Sequence, residues 1–316
     1  MKVSQLVDTA KKVSPSYNPT NLGMLEYRGH SVLDKVTGRE LTFSEEGLRN
    51  FVSYLTIPPK FFERLSSSLQ TDTVNHLLSK WEGESVILSS HEDNFWNLYK
   101  ERTVMVPNVR IAEVVERVFN ADADVARLDL YEGMKLNVST AQVSTEVKVG
   151  DVTNGGVRFY APVGEIPYVS AYMERLVCAN GMVTTQESDA ISIRGRTVDE
   201  IINEMEHLAR KILATDVPQY LDNWNRMAGM RTENPEQLIH RLVREAGVSE
   251  KIESAIIDRA AALTDNTYYD VINLITELQH EDVSETQLNR LQRLGGNAVR
   301  DLGGHRCVSC QHSLNS

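Results

Sequence analysis

Two Asn-Gly pairs in one strand-like stretch constrain the fold of this chain more than any other sequence feature. Asn154-Gly155 and Asn180-Gly181 lie within residues 151–185, among runs of β-branched and aromatic residues. Asn-Gly is the strongest short-range hairpin signal, because both central residues of a type I′ turn need a positive φ. The stretch therefore predicts an antiparallel meander with a tight reversal at each Asn-Gly pair.

Helix start signals lie on both sides of this meander. Thr42-Phe-Ser-Glu45 and Thr197-Val-Asp-Glu200 are capping boxes, and Asn234-Pro235 places a favoured N-cap residue before a proline at N1. Residues 109–119 carry apolar side chains at i, i+3, i+4 and i+7, which is typical of an amphipathic helix. The order of helix, antiparallel strands and helix indicates an α+β fold rather than βαβ units.

This order divides the chain into predicted domains. We predict a central antiparallel sheet flanked by helices, with an N-terminal helical lobe and a C-terminal helical domain. The predicted ranges are 1–106 for the N-terminal helical lobe with the first strands, 107–214 for the central α+β sheet domain, 215–304 for the C-terminal helical domain and 305–316 for a Cys/His tail.

Composition limits the classes of function. No apolar run reaches the roughly 18–20 residues that span a bilayer, and the N-terminus has no signal-peptide core, so we expect a cytoplasmic protein without a membrane partner. Three cysteines do not make a disulfide framework. The net charge of −11 argues against a surface that coats duplex phosphates, although a local basic groove is compatible with it.

Basic and aromatic residues are interleaved in the strand-rich block. Cations that follow phosphates beside rings that stack on bases are typical of grooves for single-stranded nucleic acid. The alternative is that tyrosine is simply a good strand residue and the cations are its exposed neighbours. The predicted nucleic-acid-binding residues are Lys135, Lys148, Arg158, Tyr160, Tyr172, Arg175 and Arg194, with Tyr168 in the same block.

The C-terminal tail contains a second candidate site. Cys307 and Cys310 are spaced so that two thiolates could bind one tetrahedral ion, and His305 or His312 could complete a zinc site. The alternative is a frayed tail without a metal, because the last residues of a chain are often poorly ordered.

Catalytic residues are not predicted. Cys178 precedes an Asn-Gly pair and has no general base nearby in sequence, and a buried cysteine commonly serves as a small apolar residue. The glycine-rich segment 150–156 lacks the Lys-[Ser/Thr] of a P-loop. The sequence therefore favours a binding protein over an enzyme.

The segment Tyr172–Val183, YMERLVCANGMV, resembles the "R-[LV]-V-C-x-N-G-[ML]-[VI]" segment of a phage- and plasmid-encoded family of unknown function (domain of unknown function 932). Residues 95–100, 267–276 and 290–299 resemble further segments of that family. The residues that carry the main match are Arg175, Leu176, Val177, Cys178, Asn180, Gly181 and Met182. The resemblance implies a phage or mobile-element protein and names no reaction.

The order of helix, meander and helix is also similar to that of phage single-strand annealing proteins of the Red-beta and RecT type. That likeness is one of fold alone. The basic and aromatic strand block and the family resemblance together favour a non-enzymatic, homo-oligomeric protein that binds single-stranded nucleic acid in recombination or replication. The alternative is a host-interaction protein that binds and inhibits a host defence or repair factor, which the acidic net charge favours.

Overall fold

Two separate sheets organise the chain, which is an α+β protein as the sequence predicts. The computed structural model describes residues 1–131, 133–148, 151–175, 180–182, 190–261, 263, 266–277, 287, 290–291 and 294–299. The helices are α1 (Leu6–Val13), α2 (Glu45–Tyr54), α3 (Pro59–Phe62), α4 (Ser67–Lys80), α5 (Asn108–Val118), α6 (Val198–Lys211), α7 (Val217–Gly229), α8 (Pro235–Ala246), α9 (Glu250–Ala260) and α10 (Tyr268–Glu277). The strands are β1 (Ser16–Asn21), β2 (Leu25–Tyr27), β3 (Ser31–Asp34), β4 (Arg39–Phe43), β5 (Ser85–His91), β6 (Asn94–Lys100), β7 (Asp124–Asp129), β8 (Gly133–Lys148), β9 (Asp151–Pro162), β10 (Tyr168–Arg175), β11 (Asn180–Met182) and β12 (Ile191–Ser192).

The N-terminal lobe combines helices with a six-stranded mixed sheet. Its strand order is β1-β5-β6-β4-β3-β2, in which only the short β4–β6 pairing is parallel among the described strands. Helices α2, α3 and α4 enclose a core with these strands. The prediction of helices with the first strands did not include a sheet that joins them, because β1 and β4 are short and contain many polar residues, so that their alternation is weak in the sequence.

The first residues of the chain contribute to the core of the central domain, although the lobe follows them in sequence. Val3, Leu6 and Ala10 are buried in the same core as α5 and the central sheet. The backbone N–H of Val3 donates to the carbonyl of Ala123 at 3.0 Å. This arrangement differs from the predicted boundary, which assigned residues 1–106 to one lobe.

The central sheet is the antiparallel meander that the sequence predicts. Its strand order is β11-β10-β9-β8-β7, and β12 pairs with β10. One side of the sheet packs against α5, α6 and α7 through aliphatic side chains. This core continues without a break into α8, α9 and α10, where the rings of Trp224 and Tyr269 lie 4.7 Å apart. The central and C-terminal predicted domains therefore share one core.

The position of Asn154-Gly155 contradicts the predicted turn. The pair lies inside β9, and neither Gly155 nor Gly156 has a positive φ. A Cβ on Gly155 would lie 2.1 Å from Cγ1 of Val217, and one on Gly156 would lie 1.8 Å from the carbonyl oxygen of Val138. These glycines therefore permit close packing within the domain rather than a reversal.

The connection between β9 and β10 is a turn at residues 163–167, where Gly164 has a φ of +83°. The second predicted pair, Asn180-Gly181, lies in β11 opposite Arg175 and Glu174 of β10. Residues 176–179, which join these two strands, lie outside the described part of the chain.

Candidate nucleic-acid interface

Strand alternation places the predicted residues of β8, β9 and β10 on the side of the central sheet that faces away from its helices. Val157, Phe159 and Ala161 of β9 are buried in the aliphatic core. Because successive side chains of a strand point to opposite faces, Arg158 and Tyr160 lie on the other face. The strand register then brings their neighbours on β8 and β10 beside them.

Lys135, Tyr160 and Tyr168 form one row across three strands. Tyr160 of β9 pairs with Lys135 of β8 and with Tyr168 of β10. The two rings are stacked, with centroids 4.6 Å apart and an interplanar angle of 19°, and Nζ of Lys135 lies 5.9 Å from the centre of the Tyr160 ring. All three side chains are half-buried, so the row remains partly open to solvent.

Arg158 lies in the next row, between Asn137 of β8 and Ser170 of β10. Burial lowers the pKa of the half-buried Arg158 guanidinium, the nearby Arg127 lowers it further, and the hydroxyls of Tyr168, Tyr172 and Tyr160 oppose that change. Within the described part of the chain, Arg158 forms no ion pair and the buried hydroxyl of Ser170 has no hydrogen-bond partner. This row therefore combines an uncompensated cation with an unused donor.

Arg127 extends the same surface. It is exposed on β7 and pairs across the sheet with Asn137, next to Arg158. We call the surface formed by Arg127, Lys135, Arg158, Tyr160 and Tyr168 the tyrosine–arginine face.

Carboxylates near the tyrosine–arginine face are engaged by neighbouring groups. Asp129 lies 3.6 Å from Nζ of Lys135, and the hydroxyl of Tyr160 donates to Oε2 of Glu165 at 3.3 Å. Burial and then Glu165 raise the pKa of Tyr160 to about 12. The phenol therefore stays protonated at neutral pH and donates its one hydrogen to Glu165.

Two predicted residues do not belong to this accessible surface. Tyr172 is only 2% exposed, so its ring cannot stack on a base in this conformation, and burial raises the pKa of its hydroxyl. Nζ of Lys148 lies 2.7 and 3.0 Å from the carboxylate oxygens of Asp270 and 5.6 Å from the centre of the Tyr269 ring. The structure thus corrects the predicted set, because Lys148 joins the sheet to α10.

The remaining predicted residues fall elsewhere. Arg194 is exposed in the segment before α6, where it lines a cavity beside the β9–β10 turn. The backbone of Arg175 pairs with Thr153 and Asn180, and its side chain lies outside the described part of the chain. Residues 178 and 305–316 also lie outside it, so the predicted zinc site at His305, Cys307, Cys310 and His312 stays a prediction.

The sequence-based set missed Arg127, although a signal for it existed. Leu128 and Leu130 alternate with polar residues in the sequence and predict a half-buried strand. Because Leu128 packs against the core, the alternation already places Arg127 on the opposite face. What the sequence lacked was the register that puts Arg127 opposite Asn137 and hence beside Arg158.

Comparison with known proteins found no match: no family model, no curated protein and no solved structure matches the chain. The resemblance to the phage and plasmid family therefore stays a prediction. Within the described ranges, no helix combines the length and apolar character needed to cross a membrane. The described residues also contain no group of three or more metal-ligating side chains that could hold an ion.

Proposed function

We propose that this protein binds single-stranded nucleic acid on the tyrosine–arginine face, as a non-enzymatic accessory of recombination or replication. The observation that supports this most is the stacked Tyr160–Tyr168 pair beside Lys135 and Arg158 on one face of the sheet. The family resemblance adds a phage or plasmid origin to the proposal, and the likeness to annealing proteins adds a homo-oligomeric assembly.

The chemistry of the face suits a single strand without sequence preference. A base that stacks on the half-buried tyrosines uses a π-face that every nucleobase has, and such stacking contributes about 1–3 kcal/mol per base. A phosphate beside Arg158 would compensate a charge that has no ion-pair partner among the described residues.

The acidic net charge of −11 is compatible with this local site. Arg127, Lys135 and Arg158 are the cations of the face, and release of counterions from about three phosphates gives a log–log salt slope of about −2 for a single strand. Between about 50 and 200 mM salt, affinity should therefore fall roughly twentyfold. A duplex offers no free bases for stacking and should bind more weakly.

Fluorescence anisotropy with a labelled oligothymidylate at two salt concentrations tests the proposal. We expect binding at low salt that weakens in Lys135→Gln and Arg158→Gln. Lys80→Gln is the matched control, because Lys80 is exposed on α4 in the other lobe. Absence of binding at low salt with micromolar protein, or equal losses in the control variant, would reject the proposal.

A host protein is the second candidate partner. Phe61 and Leu69 in the N-terminal lobe are 55% and 54% exposed, and the chain is acidic overall. A pull-down from host lysate, with and without nuclease, separates this candidate from the first. A partner that survives nuclease treatment and is lost in Phe61→Ser supports protein binding, whereas capture that nuclease abolishes supports the nucleic-acid proposal.

A further inference from the structure

A cavity of about 380 Å³ lies at the β9–β10 end of the central sheet, and one of its lining residues, Glu165, accepts the hydrogen bond of the Tyr160 hydroxyl. Four parts of the chain line it: residues 100–106 at and after the end of β6, residues 161–167 at the β9–β10 turn, residues 193–195 before α6, and Ile201 of α6. Its volume falls at the lower end of the range of about 300–1,000 Å³ that is common for small-ligand sites.

The side chains that line the cavity carry a net positive charge. Lys100, Arg102 and Arg194 line it, and Glu165 is the one carboxylate among its described lining residues, so three positive charges minus one negative charge leave +2. None of these three cations forms an ion pair within the described part of the chain. The site therefore favours a ligand with about two negative charges.

Local packing fixes the backbone that carries Arg194. A Cβ on Gly195 would lie 2.7 Å from Cγ1 of Ile201, so the segment before α6 approaches the helix as only glycine permits. The first turn of α6 is satisfied by its own cap, since the N–H of Glu200 donates to Oγ1 of Thr197 at 3.2 Å. The attraction for an anion consequently comes from the basic side chains and not from the helix terminus.

Apolar side chains form the rest of the wall. Val104 and Ile166 are 37% and 60% exposed, and both line the cavity. Val106, Ile193 and Ile201 are buried behind them. A ligand with an organic group beside its charged end would cover this apolar surface, whereas an inorganic anion would leave it in water.

We propose that this cavity binds a phosphate monoester that carries a ring-shaped or apolar organic group. Such an ester has a charge of about −1.5 to −2 at neutral pH, which complements the +2 of the lining residues. A free nucleoside monophosphate and the phosphorylated end of a single strand share this chemistry. None of the residues of the tyrosine–arginine face lines the cavity, although Glu165 links the two surfaces through its hydrogen bond from Tyr160.

Isothermal titration calorimetry of the full chain with thymidine monophosphate, thymidine and inorganic phosphate tests the site. We expect the monophosphate to bind at least tenfold more tightly than either of the other two probes. Arg102→Gln and Arg194→Gln should each weaken this binding tenfold or more. Arg196→Gln is the matched control, because Arg196 is exposed nearby but does not line the cavity.

The outcomes test first whether the site binds a phosphate monoester, and then which of the two sources supplies that ester. No binding of the monophosphate, equal binding of inorganic phosphate, or an unchanged affinity in both cavity variants would overturn the proposal; circular dichroism should show that the variants remain folded. Displacement of thymidine monophosphate by a short oligothymidylate with a terminal phosphate, but not by the same oligomer without it, would identify a strand end as the ligand. Binding of the monophosphate without such displacement would identify a free nucleotide.

Discussion

The two sheets use aromatic residues in opposite ways. In the N-terminal lobe, the rings of Phe43, Phe51 and Phe95 pack against one another in the core, with Phe43 and Phe51 each about 5 Å from Phe95. In the central sheet, the side that packs on helices is mainly aliphatic, and Tyr160 and Tyr168 stack on the other side. The same residue class thus fills a core in one region and lines a polar surface in the other.

The amount of helix that covers each sheet explains this difference. The core of the N-terminal lobe is smaller than that of the central domain. Because a large ring buries about 150–250 Å², a few rings supply much of the apolar area that this small core buries. The central sheet obtains its core from a continuous set of helices through to α10, which leaves its opposite face for polar groups and tyrosines. Aromatic strand residues therefore indicate a binding surface only where the other face already supplies the core.

The largest effect should come from removing a ring of the lobe core. Phe95 is fully buried and contacts both Phe43 and Phe51, so Phe95→Ala should lower the free energy of unfolding by about 3–5 kcal/mol. Tyr160→Ala, on the half-buried face, should cost much less. Urea denaturation of the two variants measures this contrast, and equal losses would contradict the assignment of the two aromatic sets.

The next effect concerns the close approach of strands in the central sheet. A Cβ on Gly156 would lie 1.8 Å from the backbone oxygen of Val138, which cannot move without disturbing the β8–β9 pairing. Gly156→Ala should therefore destabilise the protein by about 1–3 kcal/mol or more. Gly83→Ala is the control, because a Cβ there meets no atom within 4 Å. Thermal unfolding in which both variants behave alike would show that the close contact is absent in solution.

The third prediction concerns the free energy of binding, and the expected loss is similar to or smaller than the loss of stability in Gly156→Ala. Tyr160→Ala removes one half of the stacked pair, and the lost base stacking of about 1–3 kcal/mol corresponds to a roughly five- to 150-fold weaker affinity for oligothymidylate. Tyr160→Phe keeps the ring and loses only the hydrogen bond to Glu165, so it should bind almost normally. An anisotropy titration in which the phenylalanine variant is as weak as the alanine variant would assign the effect to the hydroxyl.

The smallest effect concerns the helices on the core side of the central sheet. Glu206 of α6 accepts hydrogen bonds from Arg117 of α5 and from Arg210, which hold its pKa below the ordinary 4.5. A lowered carboxyl pKa stabilises the fold above the unfolded-state value, and that stabilisation is lost as the pH falls through the folded-state value. Glu206→Gln should cost less than about 1 kcal/mol at neutral pH. Denaturation at neutral and acidic pH should show this difference disappearing in acid, and a difference that grows in acid would contradict the pairing.

Local patterns predicted much of this fold. The stripe over 109–119 corresponds to α5, and the Thr197 capping box starts α6 at Val198. The prediction of a turn at Asn154-Gly155 was wrong. Gly155 and Gly156 are needed instead for close contacts with Val217 and Val138, which are distant in sequence. Hairpin signals are local, and they cannot register a requirement for close packing that comes from another element.

The candidate site shows the same division between local and distant information. The interleaving of basic and aromatic residues grouped Arg158 with Tyr160, and the two lie on one face of β9 because side chains of a strand alternate with a period of two. The sequence pattern could not show that Tyr172, on the same face of the sheet, is buried. Nor could it show that Lys148 is paired with Asp270, because the partner lies 122 residues further along the chain.

Photocross-linking tests most directly whether the tyrosine–arginine face holds a single strand. An oligonucleotide substituted with iodouracil, irradiated in complex with the protein and analysed by mass spectrometry, reports which side chains stack on its bases. We expect adducts at Tyr160 and Tyr168. Unlabelled oligothymidylate should suppress the formation of these adducts. Adducts confined to the N-terminal lobe or to the C-terminal helices would contradict the assignment of the binding surface to the central sheet.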